Sequence, residues 1–448
     1  MTSEPASSES QEHSLKKTLG PLTIWGLGVG YVISGEYFGW NLGLPYGGPL
    51  GMLVATLLVT VMYVAFVLSY AEVACAIPRA GGAFVYADRA FGTTVGFITG
   101  VAQLIEFVFA PPAIAFAIGA YLQTYFPMFP VWAFAVLAFF LFTGLNIWGV
   151  QQSAIFELVI TIMAVVGLLL FAGFTLPHFD LANFNRNALP SGWGGVLSAL
   201  PFAIWFYLAI EGLANVAEEA REPQRDISRG FIYAMITLVA LVLLVFFSAI
   251  GVAGWEAIVY DASGSESDSP LPLALASVVG REHFAYHVVV IMGLFGLVAS
   301  FHGIMLVAGR AMFEFGRVGY LPSILGQTLS HRQTPAAALI ANMLIGFVAL
   351  ATGQTGELIT LSAFGALTLY GLAMLSLFRL RQKEPGLHRP YLTPLYPYLP
   401  ATAALLAVAC FIAMLISNPG IGGIFVGIVL SSVLVFRALG FHKRGLPQ

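Results

Sequence analysis

Three glutamates, Glu36, Glu106 and Glu211, lie inside long apolar stretches of a 448-residue chain in which only 9% of residues are charged. An acid at the centre of a membrane helix costs roughly 2.5–3.5 kcal/mol, so such residues are kept for a purpose. No Lys or Arg falls at comparable depth to neutralise them. Carboxyl groups so placed hold a proton, bind a cation, or accept hydrogen bonds from exposed backbone amides. The residues around them suit the same chemistry. Trp205, six residues before Glu211, either packs or offers an indole face on which an ammonium gains about 0.5–2 kcal/mol. Tyr31, Tyr37 and Tyr207 either pack or present hydroxyls to a polar ligand. His302 is the only histidine at membrane depth, and its titration near pH 6.5 suits a proton relay, with a neutral core histidine as the alternative. Glu106, with Gln103 one turn earlier and Pro111-Pro112 just after, reads as a substrate or proton ligand or as a structural acid. Glu157 opens its helix at one end and needs no function.

The elements that must position these residues follow from composition. The chain is 58% hydrophobic, and its 9% charge compares with roughly 25% in soluble domains. Too little charge remains to cover a soluble surface, so the surface faces lipid. A spanning helix needs about 20 apolar residues, and twelve segments qualify: 22–46, 51–75, 94–124, 131–149, 153–175, 193–217, 229–253, 284–316, 335–352, 356–380, 396–416 and 420–438. Their continuous apolar character excludes a β-barrel, whose strands alternate. With the N-terminus placed inside, every Lys and Arg except Arg186 and Arg281 falls in a cytoplasmic segment. That asymmetry predicts cytoplasmic N- and C-termini. The polar residues 1–18 read as a cytoplasmic tail rather than a signal peptide, residues 441–448 as a second tail, and 19–440 as one membrane domain. The exterior stretch 254–283 carries Glu256, Asp261, Glu266 and Asp268 and reads as a solvated loop.

The first segment holds six glycines, with Ser34-Gly35-Glu36 near its middle, and the sixth shows Glu211-Gly212 after a purely apolar run. Matched interruptions in two halves of a membrane chain point to a binding site near the midplane. No phosphate loop, metal-ligand cluster or nucleophile–base spacing stands out, which argues against an enzyme and against a cofactor. A basic footprint for nucleic acid is also absent. Cys75 and Cys410 read as small apolar residues.

Three stretches carry a family likeness. Residues Gly30–Asn41 read GYVISGEYFGWN, Glu211–Asp226 read EGLANVAEEAREPQRD, and Gly309–Pro322 read GRAMFEFGRVGYLP. With them, from about residue 19 to 440, the chain resembles the amino acid–polyamine–organocation superfamily and, within it, the ethanolamine permeases. The resemblance implies an all-α fold of about twelve helices: a five-plus-five inverted repeat (about 22–175 and 193–380), interrupted first and sixth helices, and two added helices at about 396–438. It implies a secondary transporter of the inner membrane, working by alternating access. Carriers of amino acids in this superfamily read Gly-Ser/Thr-Gly at the first break, where backbone amides hold the substrate carboxylate. Here the triplet is Ser34-Gly35-Glu36. A carboxylate there repels a carboxylate and attracts an ammonium, which favours a small organic amine such as ethanolamine, with an amino acid or polyamine as the alternative cargo. The implied substrate contacts are Ser34, Gly35, Glu36, Tyr37, Glu106, Trp205 and Tyr207. Glu211, from the resemblance, and His302, from its depth, are the expected proton-coupling or gating residues, with H+ as coupling ion and lipid as the surrounding partner.

Overall fold

The computed structural model describes residue 17 and residues 19–261, 263–329 and 332–441. The tails expected at 1–18 and 441–448 fall almost wholly outside these residues. Among the described residues, ten helices are long and apolar enough to cross a membrane. The divided first helix and the shorter ninth, Ala336–Leu350, complete the expected twelve. Among the described residues the only β-pairings are two isolated bridges. The all-helical expectation therefore holds, segment by segment.

The first helix runs Pro21–Val32 and continues, after a turn at Ile33, through Ser34–Tyr37 to a 3₁₀ turn, Trp40–Gly43. The second is Leu44–Ala76, the third Thr93–Gln123, the fourth Val131–Trp148 and the fifth Val150–Thr175. The sixth begins as Gly194–Trp205 and resumes as a 3₁₀ stretch, Ile210–Glu219. Pro223–Ala253, Phe284–Arg317, Ala336–Leu350 and Thr355–Lys383 are the seventh to tenth, and Tyr398–Ser417 and Pro419–Ala438 the last two.

The packing repeats itself. The first helix packs on the seventh as the sixth packs on the second, and the third packs on the tenth as the eighth packs on the fifth. That correspondence is what two five-helix halves of like fold require. The two added helices are mostly exposed, with Leu405, Ile416, Leu430 and Leu434 facing outward. With no bulk water in the hydrocarbon layer, lipid is the solvent that such a surface fits. The third and tenth helices are buried along most of their length and form the wall against which the divided helices lie.

Candidate functional site

The first helix is divided by a side chain. The Ser34 amide, which in an unbroken helix bonds the Gly30 carbonyl, instead donates to Ser300 Oγ on the eighth helix at 2.8 Å. The same hydroxyl donates to the Gly30 carbonyl at 2.6 Å. Insertion of a hydroxyl into the i→i−4 ladder is a recognised cause of a helix break, and here it leaves neither backbone group unsatisfied. Three residues past Glu36 the chain turns again, at Gly39, with φ +87°. Only glycine takes that conformation without penalty. Gly35 has a different constraint: a Cβ there would meet the Trp205 carbonyl and the Phe206 backbone. The two divided helices thus touch backbone to backbone at Gly35.

The sixth helix breaks between Phe206 and Ile210. Its turning point is Ala209, in the left-handed region at φ +78°. The sequence places the interruption at Glu211-Gly212; the backbone places it just before, at an alanine that the pattern does not mark. Trp205 spans both breaks. Its indole Nε1 donates to the Phe38 carbonyl at 3.1 Å, and its ring meets Phe38 edge to face.

The expected site residues gather around these breaks in three groups. Glu36 is fully buried, and neither carboxylate oxygen has a hydrogen-bond partner. Tyr207 stands within electrostatic reach of it, bonded through its hydroxyl to Thr60 at 2.7 Å. Tyr207 packs on Tyr63 with ring centroids 5.1 Å apart, and the Tyr63 hydroxyl bonds that of Tyr370 at 3.0 Å. Tyr370 in turn donates to Glu211 Oε2 at 2.8 Å. Glu106 completes this second group by accepting from the Ala209 amide at 3.2 Å. Glu106 and Glu211 are near neighbours. Glu106 Oε2, Glu211 Oε1 and both polar atoms of Gln103 are buried with no hydrogen-bond partner. Facing carboxyl groups in a low dielectric are held by a shared proton or by a bound cation. Tyr63 and Tyr370, which sequence reasoning did not select, thus link two carboxylate poles. Nothing in their surroundings in the chain distinguishes them from packing tyrosines.

Tyr37 lies elsewhere. Its hydroxyl donates to the Ala164 carbonyl of the fifth helix at 2.7 Å, and its ring sits where side chains on Gly293 or Gly296 would clash. The expected substrate contact is in this conformation a hinge-to-scaffold contact. His302 belongs to the third group: its Nδ1 lies 2.9 Å from Glu157 Oε2, with both side chains 1% exposed. Glu157 therefore departs from the reading of a helix-end acid without function. Its partner is 145 residues away in sequence.

The two faces over these groups are built in different ways. On the face bearing the N-terminus, the Leu19 amide bonds the Glu219 carbonyl at 3.0 Å and the Arg221 amide bonds the Leu19 carbonyl at 2.9 Å. Asn215 and Glu218 bind the Ala80 carbonyl and amide, and Arg310 pairs with Glu219. On the opposite face a cavity of about 460 Å³ is lined by Tyr46, Phe202, Glu266, Asp268 and Glu357, among others. Part of the expected solvated loop is therefore built into this mouth. Asn41 donates to the Ser267 carbonyl at 2.9 Å, and Thr355 donates to Asp268 Oδ2 at 3.0 Å. Burial pushes the Asp268 carboxyl up to about 7.

Comparison with known proteins agrees with this architecture. A family profile described as amino acid permease matches residues 19–435. An uncharacterized transporter of Rhizobium meliloti is 28% identical, covering 98% of this chain and 94% of that protein. A branched-chain amino acid permease of Bacillus subtilis is 25% identical over 92% of this chain and 90% of its own length. A low-affinity putrescine importer of Escherichia coli is 25% identical over 93% and 92%.

Proposed function

Because the chain belongs to the amino acid permease family, we propose that it is a secondary carrier of the inner membrane, termini cytoplasmic, moving a small organic amine of the amino acid and polyamine class. Within that class the reading favours a cation without a carboxylate, of which putrescine is the type. The observation that carries it is Glu36: fully buried at the first break, with both oxygens unpartnered and no cationic side chain paired with it among the described residues. A buried carboxylate without a partner is costly, and a substrate ammonium removes that cost while bound. The second pole, Glu106 with Glu211, gives a diamine a second place to rest, and the tyrosines between the poles supply apolar wall and hydroxyls. The relatives named for branched-chain amino acids and for putrescine support the amino acid and polyamine class over ethanolamine, and the putrescine importer supports the carboxylate-free member of it. Ethanolamine, the cargo implied by the first-helix likeness, is the second reading and fits one pole only.

In the transport cycle, Ser34, Gly35 and Glu36 with Trp205 and Tyr207 form the substrate contacts, and Glu106 and Glu211 exchange a proton or hold the far ammonium. Tyr37 enters only if the first helix turns. The test is uptake of radiolabelled putrescine, ethanolamine and leucine into proteoliposomes. The expected order is putrescine first and leucine last, with Glu36→Gln abolishing the preference for cations. Leucine uptake that survives Glu36→Gly, with putrescine neither carried nor competing, sinks the proposal.

A further inference from the structure

Glu157 and His302 lie outside both carboxylate poles, yet they make a hydrogen-bonded pair with 1% exposure on each side. A carboxyl–imidazole pair holding one proton has no net charge, whichever partner carries it. Losing that proton leaves a buried anion and gaining another leaves a buried cation, and either costs several kcal/mol in the interior. The proton count therefore stays fixed while the pair is closed off and changes when water reaches it.

The pair also touches the hinge. Glu157 Oε1 has no hydrogen-bond partner, nor has Thr161 Oγ1 one turn on. Both face Gly30, where a Cβ would lie 2.7 and 2.6 Å from them. A Cβ on Gly303 of the eighth helix would lie 3.1 Å from the same oxygen. Gly30 is the residue whose carbonyl takes the Ser300 hydroxyl that divides the first helix. The carboxylate and the clamp thus meet on two sides of one glycine.

Among the described residues, other groups face the pair from several helices. The first helix contributes Tyr31, whose hydroxyl is unpartnered. The eighth contributes Arg310, paired with Glu219 of the sixth, and both lie within reach of Tyr31. The fourth contributes Asn146, donating to the His302 carbonyl at 3.3 Å, and the Phe142 ring. The seventh helix past Phe231, the ninth, and Pro270–Val279 hold no charged residue. Glu106 on the third is engaged at the sixth-helix break.

We propose that Glu157 and His302 form a proton-binding dyad whose occupancy sets the first-helix hinge. The proposal rests on the carrier reading and adds to it a proton site separate from Glu106 and Glu211. One proton enters from water at the open face, raising the dyad from one to two. The same proton leaves to water at the other face, returning the dyad to neutrality. A second proton on the pair puts a net positive charge against Gly30 and loosens the closed hinge.

The experiment needs no cargo. Hydrogen exchange of residues 28–40 is measured on the purified full chain at pH 5.5 and pH 8.0, corrected for intrinsic rates. The wild type is expected to exchange about 5-fold faster at the lower pH, and Glu157→Gln and His302→Gln to differ by less than about 2-fold. Ser300→Ala raises exchange at both pH values and keeps the ratio. Equal wild-type exchange at the two pH values overturns the dyad, as does a His302→Gln protein that keeps the wild-type ratio. Should Glu157→Gln fail to fold, His302→Gln decides alone; should both fail, the wild-type ratio with that of Ser300→Ala decides. Absence of putrescine uptake in the wild type would strike the cargo reading and leave this exchange result standing.

Discussion

The two helix breaks carry the same residue type and treat it differently. At the first, no other side chain among the described residues holds Glu36, whose oxygens are buried and unpartnered, while the backbone around it is secured by Ser300. At the sixth, Glu211 receives the Tyr370 hydroxyl and Glu106 receives the Ala209 amide, while the backbone itself is strained at Ala209. One break has a settled backbone and an acid with neither oxygen partnered; the other has a strained backbone and two acids, each held by one oxygen and free at the other. The difference teaches where a ligand is expected. A charge left without a partner in a dry interior is provision for a partner from outside, whereas a hydrogen-bonded acid pair already has internal work.

The sharpest way to break the comparison is Glu36→Gln. Removing one member of a buried charged pair costs 2–5 kcal/mol, so putrescine affinity should fall about 100-fold, measured by uptake or calorimetry. The same change at Glu211 should cost less than a tenth of that factor. Equal losses would erase the distinction between the breaks. Next in size is Gly35→Ala, whose methyl group meets the Trp205 carbonyl; overpacking of this kind costs about 1–3 kcal/mol, and uptake should fall about tenfold with cation selectivity retained. Tyr370→Phe removes a hydroxyl that bonds Glu211 Oε2 and Tyr63. Bonds to charged groups are worth about 1.5–3 kcal/mol, so stability should fall by an amount in that range, read as a lower melting temperature.

Asp268 sharpens the comparison from outside the membrane. Its carboxyl is held up to about 7 by burial, above the ordinary aspartate value of about 3.9. Between those values the unfolded chain loses its proton while the folded chain keeps it, so stability falls as pH rises through this window and is level above it. Asp268→Asn should therefore raise the melting temperature at pH 8 by more than at pH 5. The smallest effect belongs to Ala209→Gly. A left-handed alanine costs about 1–2 kcal/mol, and glycine returns roughly 0.5–1 of that in entropy. A slight rise in melting temperature with unchanged uptake is expected; a fall would show that the Ala209 side chain packs more than it strains.

The twelve helices were legible because most are continuous apolar runs that end near charge, glycine or proline, and lipid demands that pattern. The first break was legible because Ser34-Gly35-Glu36 puts a charge and a glycine in the middle of such a run. The turning point of the sixth was not, since alanine at 209 carries no sign of a left-handed backbone. Glu157 looked like a helix-end acid because its value comes from His302, brought to it by the packing of the fifth helix on the eighth. Trp205 was legible as important but not in its role: an indole pinned to the Phe38 carbonyl is a brace between two hinges before it is a platform for an ammonium. Tyr37 was legible only as a neighbour of Glu36; its bond to the Ala164 carbonyl of the fifth helix in this conformation depends on packing that the sequence does not display.

The seam between Leu19 and residues 219–221 includes two main-chain hydrogen bonds, each worth about 1 kcal/mol net. This seam joins the entrance of one divided helix to the exit of the other, so the two can part at this face by exchanging those backbone bonds for bonds to water.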